Sequence, residues 1–186
     1  MSFIAVLDTE TNWDDEVMSI GIVKAEAESF VLKESKYFVI DPEYLRTGLY
    51  SAELFLRGQD KDVITDRKKA LQQIKKWMKE NEIGSIFAYN ASFDKNHLPE
   101  LLQYEWYDIM RIAAYRQYNN KIPKNVECCG TGRLKRNFGV EPIARMLSGN
   151  KMYCETHNAL QDAIDELEIM KLLGLPVRVY ENAAKL

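Results

Sequence analysis

Five residues of this 186-residue chain have the types and spacing for cation binding or proton transfer: Asp8 and Glu10 in DTET, Asp94 in YNASFD, and His157 and Asp162 in ETHNALQDAIDEL. Asp8 and Glu10 stand two apart at the end of an apolar run, and period-two alternation turns both side chains to one side of a strand. A strand that simply ends in polar residues is the competing account. Asp94 falls on the first turn of a helix that follows a second apolar run, SIFAY (85 to 89). If that run lies parallel to the first, Asp94 joins Asp8 and Glu10. Unpaired like charges in one cleft raise carboxyl pKa values and oppose folding, so such a cluster persists mainly where cations neutralise it. All-oxygen ligation suits magnesium or manganese.

The second half of the pattern starts a helix. Asn158 is a good N-cap and Gln161 stands at the matching third position, a capping-box variant that leaves His157 on the preceding loop. Asp162 then lies on the first turn, where a carboxylate interacts favourably with the helix dipole. The apolar stripe is Leu160, Ala163, Ile164, Leu167 and Met170, and at about 100° per residue Asp162 falls off it. A surface histidine ahead of an ordinary capped helix is the bland alternative.

The elements that must position these residues are legible in outline. FIAVL (3 to 7) is a short continuous apolar run, the mark of a strand buried on both faces. SIGIV (19 to 23) and YFVI (37 to 40) follow with no helical pattern between, which suggests an antiparallel meander. Asp66 is a plausible N-cap for a helix carrying Ala70, Leu71, Ile74, Trp77 and Met78 at helical spacing, with Lys68, Lys75, Lys76 and Lys79 on a solvated face. A helix separates the third strand from SIFAY, so SIFAY can run parallel to the first strand. Beyond it the sequence predicts a helix over 94 to 102, an extended EWYDI, a helix over 110 to 118, a loop over 119 to 132, a short helix ending near Gly139, and a strong helix over 158 to 173. No repeat or linker divides the chain, so residues 1–186 are expected to form one domain with a mixed sheet covered by helices.

Composition bounds the setting. With 46% hydrophobic residues the chain can bury a full core. A net charge of −3 advertises no polyanionic partner, so a nucleic acid would have to be attracted by local patches or metal ions. Three cysteines, two of them adjacent, make neither a disulfide framework nor a CxxC ladder. The apolar run at the start ends at Leu7, too short for a signal peptide or a membrane span. A soluble, cytoplasmic protein with no membrane partner is expected.

In order, DTET, YNASFD and HNALQDA resemble the three motifs of the DEDD exonucleases, and the resemblance spans residues 3 to 173. It implies an α/β, ribonuclease H-like fold: a mixed five-stranded sheet, three strands in an antiparallel meander plus parallel strands, flanked by helices. The histidine class of the family places His five residues before the last Asp, and the tyrosine class places Tyr four before it. Here position 157 is His and position 158 is Asn, so the chain resembles the histidine class, shared by polymerase proofreading subunits, ribonuclease T and oligoribonuclease.

By that resemblance Asp8, Glu10, Asp94 and Asp162 ligate two divalent ions, Mg2+ or Mn2+, and His157 is the general base. The implied reaction is 3′-to-5′ hydrolysis of phosphodiester bonds at single-stranded DNA or RNA 3′ ends, releasing nucleoside 5′-monophosphates. Two cations about 3.5 to 4 Å apart stabilise both the attacking and the leaving oxygen of such a displacement. Thr11 resembles a position where the family often contacts the terminal nucleotide, and Asn90, which with Phe93 frames the second motif, is a further substrate-binding candidate. Phe93 could stack on a base or pack in the core, and Met18 and Trp13 could wedge the terminal bases or cover the sheet. Arg133, Lys135 and Arg136 could meet phosphates or form a solvated face. His97 is expected to pack or hydrogen-bond locally. The continuation NWDDEVMSIG departs from the glycine-containing turn of many members. A polymerase or a second copy of the chain are possible partners. The alternatives are a non-catalytic nucleic-acid-binding or polymerase-associated scaffold module and an oligonucleotide-restricted ribonuclease.

Overall fold

The computed structural model describes residues 2–55 and 64–186. Along the chain lie β1 (Phe3–Thr11), β2 (Val17–Glu26), β3 (Leu32–Ile40), β4 (Ile64–Thr65), α1 (Arg67–Glu80), β5 (Ser85–Ala88), α2 (Ser92–His97), β6 (Glu105–Asp108), α3 (Met110–Ala113), α4 (Val140–Ser148), α5 (Ala159–Leu173) and α6 (Val177–Ala183). The strands form one mixed sheet in the order β4-β3-β2-β1-β5-β6. The first three make the expected antiparallel meander, and β5 lies parallel to β1 with Ala5 opposite Ile86. A sixth strand joins the expected five. It is the two-residue β4, parallel to the end of β3, too short to leave a sequence period.

Alternation along β1 divides the interior in two. Ala5 and Leu7 turn to a core built on α1, with Ala70, Leu71, Ile74, Trp77 and Met78 from the helix. Ile4 and Val6 turn the other way, to a core shared with Ala163, Leu167, Ile169 and Met170 of α5. Asp66 caps α1 by accepting from the Lys69 amide at 2.9 Å, satisfying one of the free donors of the first turn.

The second half differs in detail from its sequence pattern. The helix expected over 94 to 102 breaks at Leu98, ahead of Pro99, into α2 and a single 3-10 turn at Pro99–Leu101. The helix expected over 110 to 118 stops at Ala113. Gly139 does not end a helix. It is the extended residue before α4, whose Val140, Ile143 and Ala144 are buried at helical spacing. At α5, Asn158 accepts from the Gln161 amide at 3.3 Å, but the Gln161 side chain donates to Asp165 at 2.9 Å instead of returning to the cap. Only half of the capping box forms.

Candidate active site

Asp8 and Glu10 continue the face of β1 that carries Ile4 and Val6, so they meet α5, where the apolar core gives way to carboxylates. On α5 the residues turned inward are Ala159, Asp162, Ala163, Glu166, Leu167, Ile169 and Met170, while Leu160 and Ile164 are only partly covered. The buried face is thus rotated from the expected stripe, and Asp162 is 3% exposed, inside that face. The sheet permits this close approach at Gly21, opposite Asp8 on β2, where a Cβ would overlap the Ala159 carbonyl. Asp94 arrives from the neighbouring parallel strand. After β5 the chain turns through Asn90, left-handed at φ 59°, with its amide held by Asp108 at 3.0 Å, and α2 begins with Asp94 buried.

The four carboxylates share one charge field. Burial is the main cause that raises each; repulsion from other carboxylates of the site adds to it for Asp8 and Glu10, and repulsion from Glu155 and Asp165 for Asp162. Glu10 and Asp162 are each pushed up to about 8, Asp94 to about 7, and Asp8 well above the usual range. A bond from the Thr9 hydroxyl to Asp94 Oδ1 at 2.8 Å works against the rise there. Glu155 nearby rises to about 6 through burial and the charges of Glu141 and Asp165. Glu166 was not a sequence candidate, yet it belongs to this group. Burial and then the Asp94 charge hold its carboxyl well above the ordinary range. A Glu inside a helix reads as solvated by pattern; only its i+4 spacing from Asp162 could have signalled it.

Ligand atoms of Glu10, His157 and Asp162 lie within 4.8 Å of one another. His157 takes a left-handed backbone at φ 58°, a sparsely populated conformation for a non-glycine residue and a form of strain that concentrates at functional sites. Tyr50 stacks on its ring with centroids 3.8 Å apart and planes 12° from parallel. The segment bearing Tyr50 is tied to the same motif, since Asn158 Nδ2 donates to the Glu53 carbonyl at 2.7 Å and to the Tyr37 hydroxyl at 3.2 Å. Burial lowers the imidazole pKa, outweighing the acidic groups Glu141 and Glu53, and so favours the neutral, proton-accepting ring.

Beside the carboxylates opens a cleft of about 340 Å³ lined by Glu10, Thr11, Trp13, Leu49, Tyr50 and Phe93. Thr11 and Phe93 line this cleft, and Trp13, also in its lining, is 68% exposed. Asn90 is exposed beyond the cleft lining. Met18 does not reach it. It is 0% exposed, because β2 turns it inward beneath Gly48 and Ser51, whose hydroxyl approaches its sulfur at 3.8 Å.

The unusual turn after the first motif is built by Asn12, whose Oδ1 accepts from the amides of Asp14 and Glu16 at 2.9 and 3.0 Å. Asp15 there takes the left-handed conformation that a glycine would otherwise supply. His97 joins this turn to α2, with its ring nitrogens 2.9 Å from the Phe93 carbonyl and 3.1 Å from Asp15, a local role. Of the basic trio, Arg133 lies over the Phe138 ring, Lys135 pairs with Glu127 at 3.4 Å, and Arg136 is exposed.

The donor set fits hard divalent cations. Asp8 Oδ2, Asp162 Oδ1 and Glu166 Oε2 are buried without a hydrogen-bond partner among the described residues. Buried polar atoms are normally satisfied, and a carboxylate oxygen that finds no proton donor is a natural cation ligand.

No family model and no curated protein sequence matches the chain. Solved structures do. E. coli exonuclease I in complex with a dT13 oligonucleotide is similar at 14% identity and a TM-score of 0.64, over 98% of this chain and 43% of that one. The nuclease domain of 3′hExo, a DEDDh family member bound to rAMP, is similar at 16% identity and a TM-score of 0.63, over 98% and 94%. Exonuclease X in complex with 5′ overhanging duplex DNA follows at 16% identity and 0.56, over 96% and 98%. The chain has the mixed α/β, ribonuclease H-like fold of these nucleases. It spans less than half of exonuclease I.

Proposed function

We propose that this chain is a metal-dependent 3′-to-5′ exonuclease of the histidine class, acting on single-stranded DNA or RNA ends and releasing nucleoside 5′-monophosphates. The observation that carries the reading is the convergence of Asp8, Glu10, Asp94 and Asp162 from β1, α2 and α5 at one edge of an open cleft. Three elements distant in sequence deliver acidic groups to a place where their repulsion serves no structural purpose.

The four carboxylates would hold two divalent ions, Mg2+ or Mn2+, which when bound supply positive charge to the attacking and leaving oxygens of the phosphoryl transfer. His157, kept neutral by burial and held in place by Tyr50, accepts a proton from the attacking water. The new bond joins that oxygen to phosphorus as the P–O3′ bond breaks, and the leaving O3′ takes a proton from solvent water, leaving a 3′-hydroxyl on the shortened strand and the phosphate on the released nucleotide. Trp13, Leu49 and Phe93 offer apolar surface for the terminal nucleoside, and stacking of this kind tolerates any base. The neighbours include proteins bound to a DNA oligonucleotide and to a histone mRNA stem-loop, so the fold accommodates either sugar.

The test is degradation of matched 5′-labelled single-stranded DNA and RNA with magnesium or manganese, beside an Asp8→Ala control. A ladder shortening from the 3′ end and absent in the control is expected. No ladder on either long strand, with cleavage of a dinucleotide, would restrict the enzyme to short oligonucleotides; no cleavage of any substrate would leave a binding module.

A further inference from the structure

We infer that Glu166 is a fifth carboxylate of the metal centre, strengthening divalent-ion binding by Asp8, Asp94 and Asp162. The inference rests on the exonuclease reading above and adds a residue that the four-carboxylate pattern does not contain.

Three observations carry it. Glu166 lies one helical turn beyond Asp162 on α5, so the two side chains share a face, and that face is turned to the carboxylates of β1. It is 1% exposed, and its Oε2 has no hydrogen-bond partner among the described residues. The charges it faces are all of its own sign: Asp94 and Asp162 act on it, and it acts in turn on Asp8. The backbone amide of Tyr89 is the favourable contact that opposes this repulsion.

An apolar residue would fill this position among Ala163, Leu167 and Met170 at no electrostatic cost. A carboxylate there is explained by what it faces. Glu10, His157 and Asp162 form the tight group at the cleft, whereas Glu166 is buried away from solvent one helical turn further along α5. It would therefore either ligate a bound ion directly or hydrogen-bond to a ligating carboxylate and orient it. Both roles predict weaker ion binding when the charge is removed, since partners of metal ligands commonly contribute about 10- to 100-fold in affinity.

The experiment is calorimetric titration of Mn2+ into the chelator-treated full chain, comparing wild type, Glu166→Gln and a surface control, Glu168→Gln, with thermal melting of the same samples. Glu166→Gln is expected to bind Mn2+ about 10- to 100-fold more weakly and to melt higher than wild type when metal-free, with Glu168→Gln unchanged. Its half-saturating Mn2+ concentration for cleavage should rise in parallel. Wild-type affinity in Glu166→Gln would overturn the inference while leaving the exonuclease reading intact. Absence of Mn2+ binding by the wild type would overturn both. Should the Gln variant fail to fold, Glu166→Asp retains the charge on a shorter arm; weakened Mn2+ binding at an unchanged metal-free melt is expected of it, and unchanged affinity overturns the inference.

Discussion

The two faces of the sheet use β1 in opposite ways. On the α1 side, Ala5 and Leu7 meet Ile74 and Met78 in an apolar core with a well-capped helix above it. On the α5 side, Ile4 and Val6 begin a similar core, but from Asp8 onward the same face becomes acidic and meets further acids. One face gains stability from every contact. The other stores repulsion that bound cations would relieve, so damage to the first should show in folding and damage to the second in chemistry.

The sharpest break of that contrast is Asp8→Ala. Metal-dependent cleavage is expected to fall to background in a gel assay, while the metal-free protein melts no lower than wild type, because the lost charge was repelled on every side. A large drop in melting temperature would show that Asp8 holds the fold together. His157→Ala should lower turnover by about 10² to 10⁴ with folding retained; near-wild-type turnover would refute its role as base.

Gly21→Ala tests the contact that seats α5. The added Cβ must push the Ala159 backbone away, a strain of about 1 to 3 kcal/mol. Moving Asp162 by about 1 Å can cost on the order of 10² in rate. Kinetics and denaturant unfolding on one preparation should therefore show a rate loss beyond the stability loss. On the opposite face Ile74→Ala should cost about 2 to 5 kcal/mol in stability and leave turnover of the folded fraction unchanged.

The same contrast should appear in the pH dependence of stability. Glu10 and Asp162 rise from ordinary values of 4.5 and 3.8 to about 8 in the folded protein. A carboxyl whose folded pKa is raised leaves stability untouched below its unfolded value and opposes folding fully above the folded one. The melting temperature of the metal-free protein should thus fall as pH rises from about 5 to about 8, and Mn2+ should flatten that slope. A metal-free profile that rises over this range would break the contrast between the faces.

Much of this was legible in the residues themselves. The short apolar runs marked the strands because period-two burial leaves a local signature, and Asp66 and Asn158 marked two helix starts because a cap is a contact within one turn. The spacing of His157 to Asp162, with Asp8, Glu10 and Asp94 at element ends, marked the candidate site for the same local reason. The helix that breaks at Leu98 does so ahead of Pro99, a local signal, whereas the stop at Ala113 and the start of α4 after Gly139 depart from the local pattern.

Only the tertiary structure could place Met18 inside, rotate α5 so that Asp162 and Glu166 are buried, stack Tyr50 on His157, and make Gly21 the seat of a helix. Each depends on segments far apart in the chain: Tyr50 and His157 are brought together by Asn158 binding the Glu53 carbonyl. A sequence determines which residues prefer a strand, a cap or a turn, since those preferences act over a few bonds. Which side chains share a dry interior, and which charges must face one another there, is decided when the sheet closes against its helices.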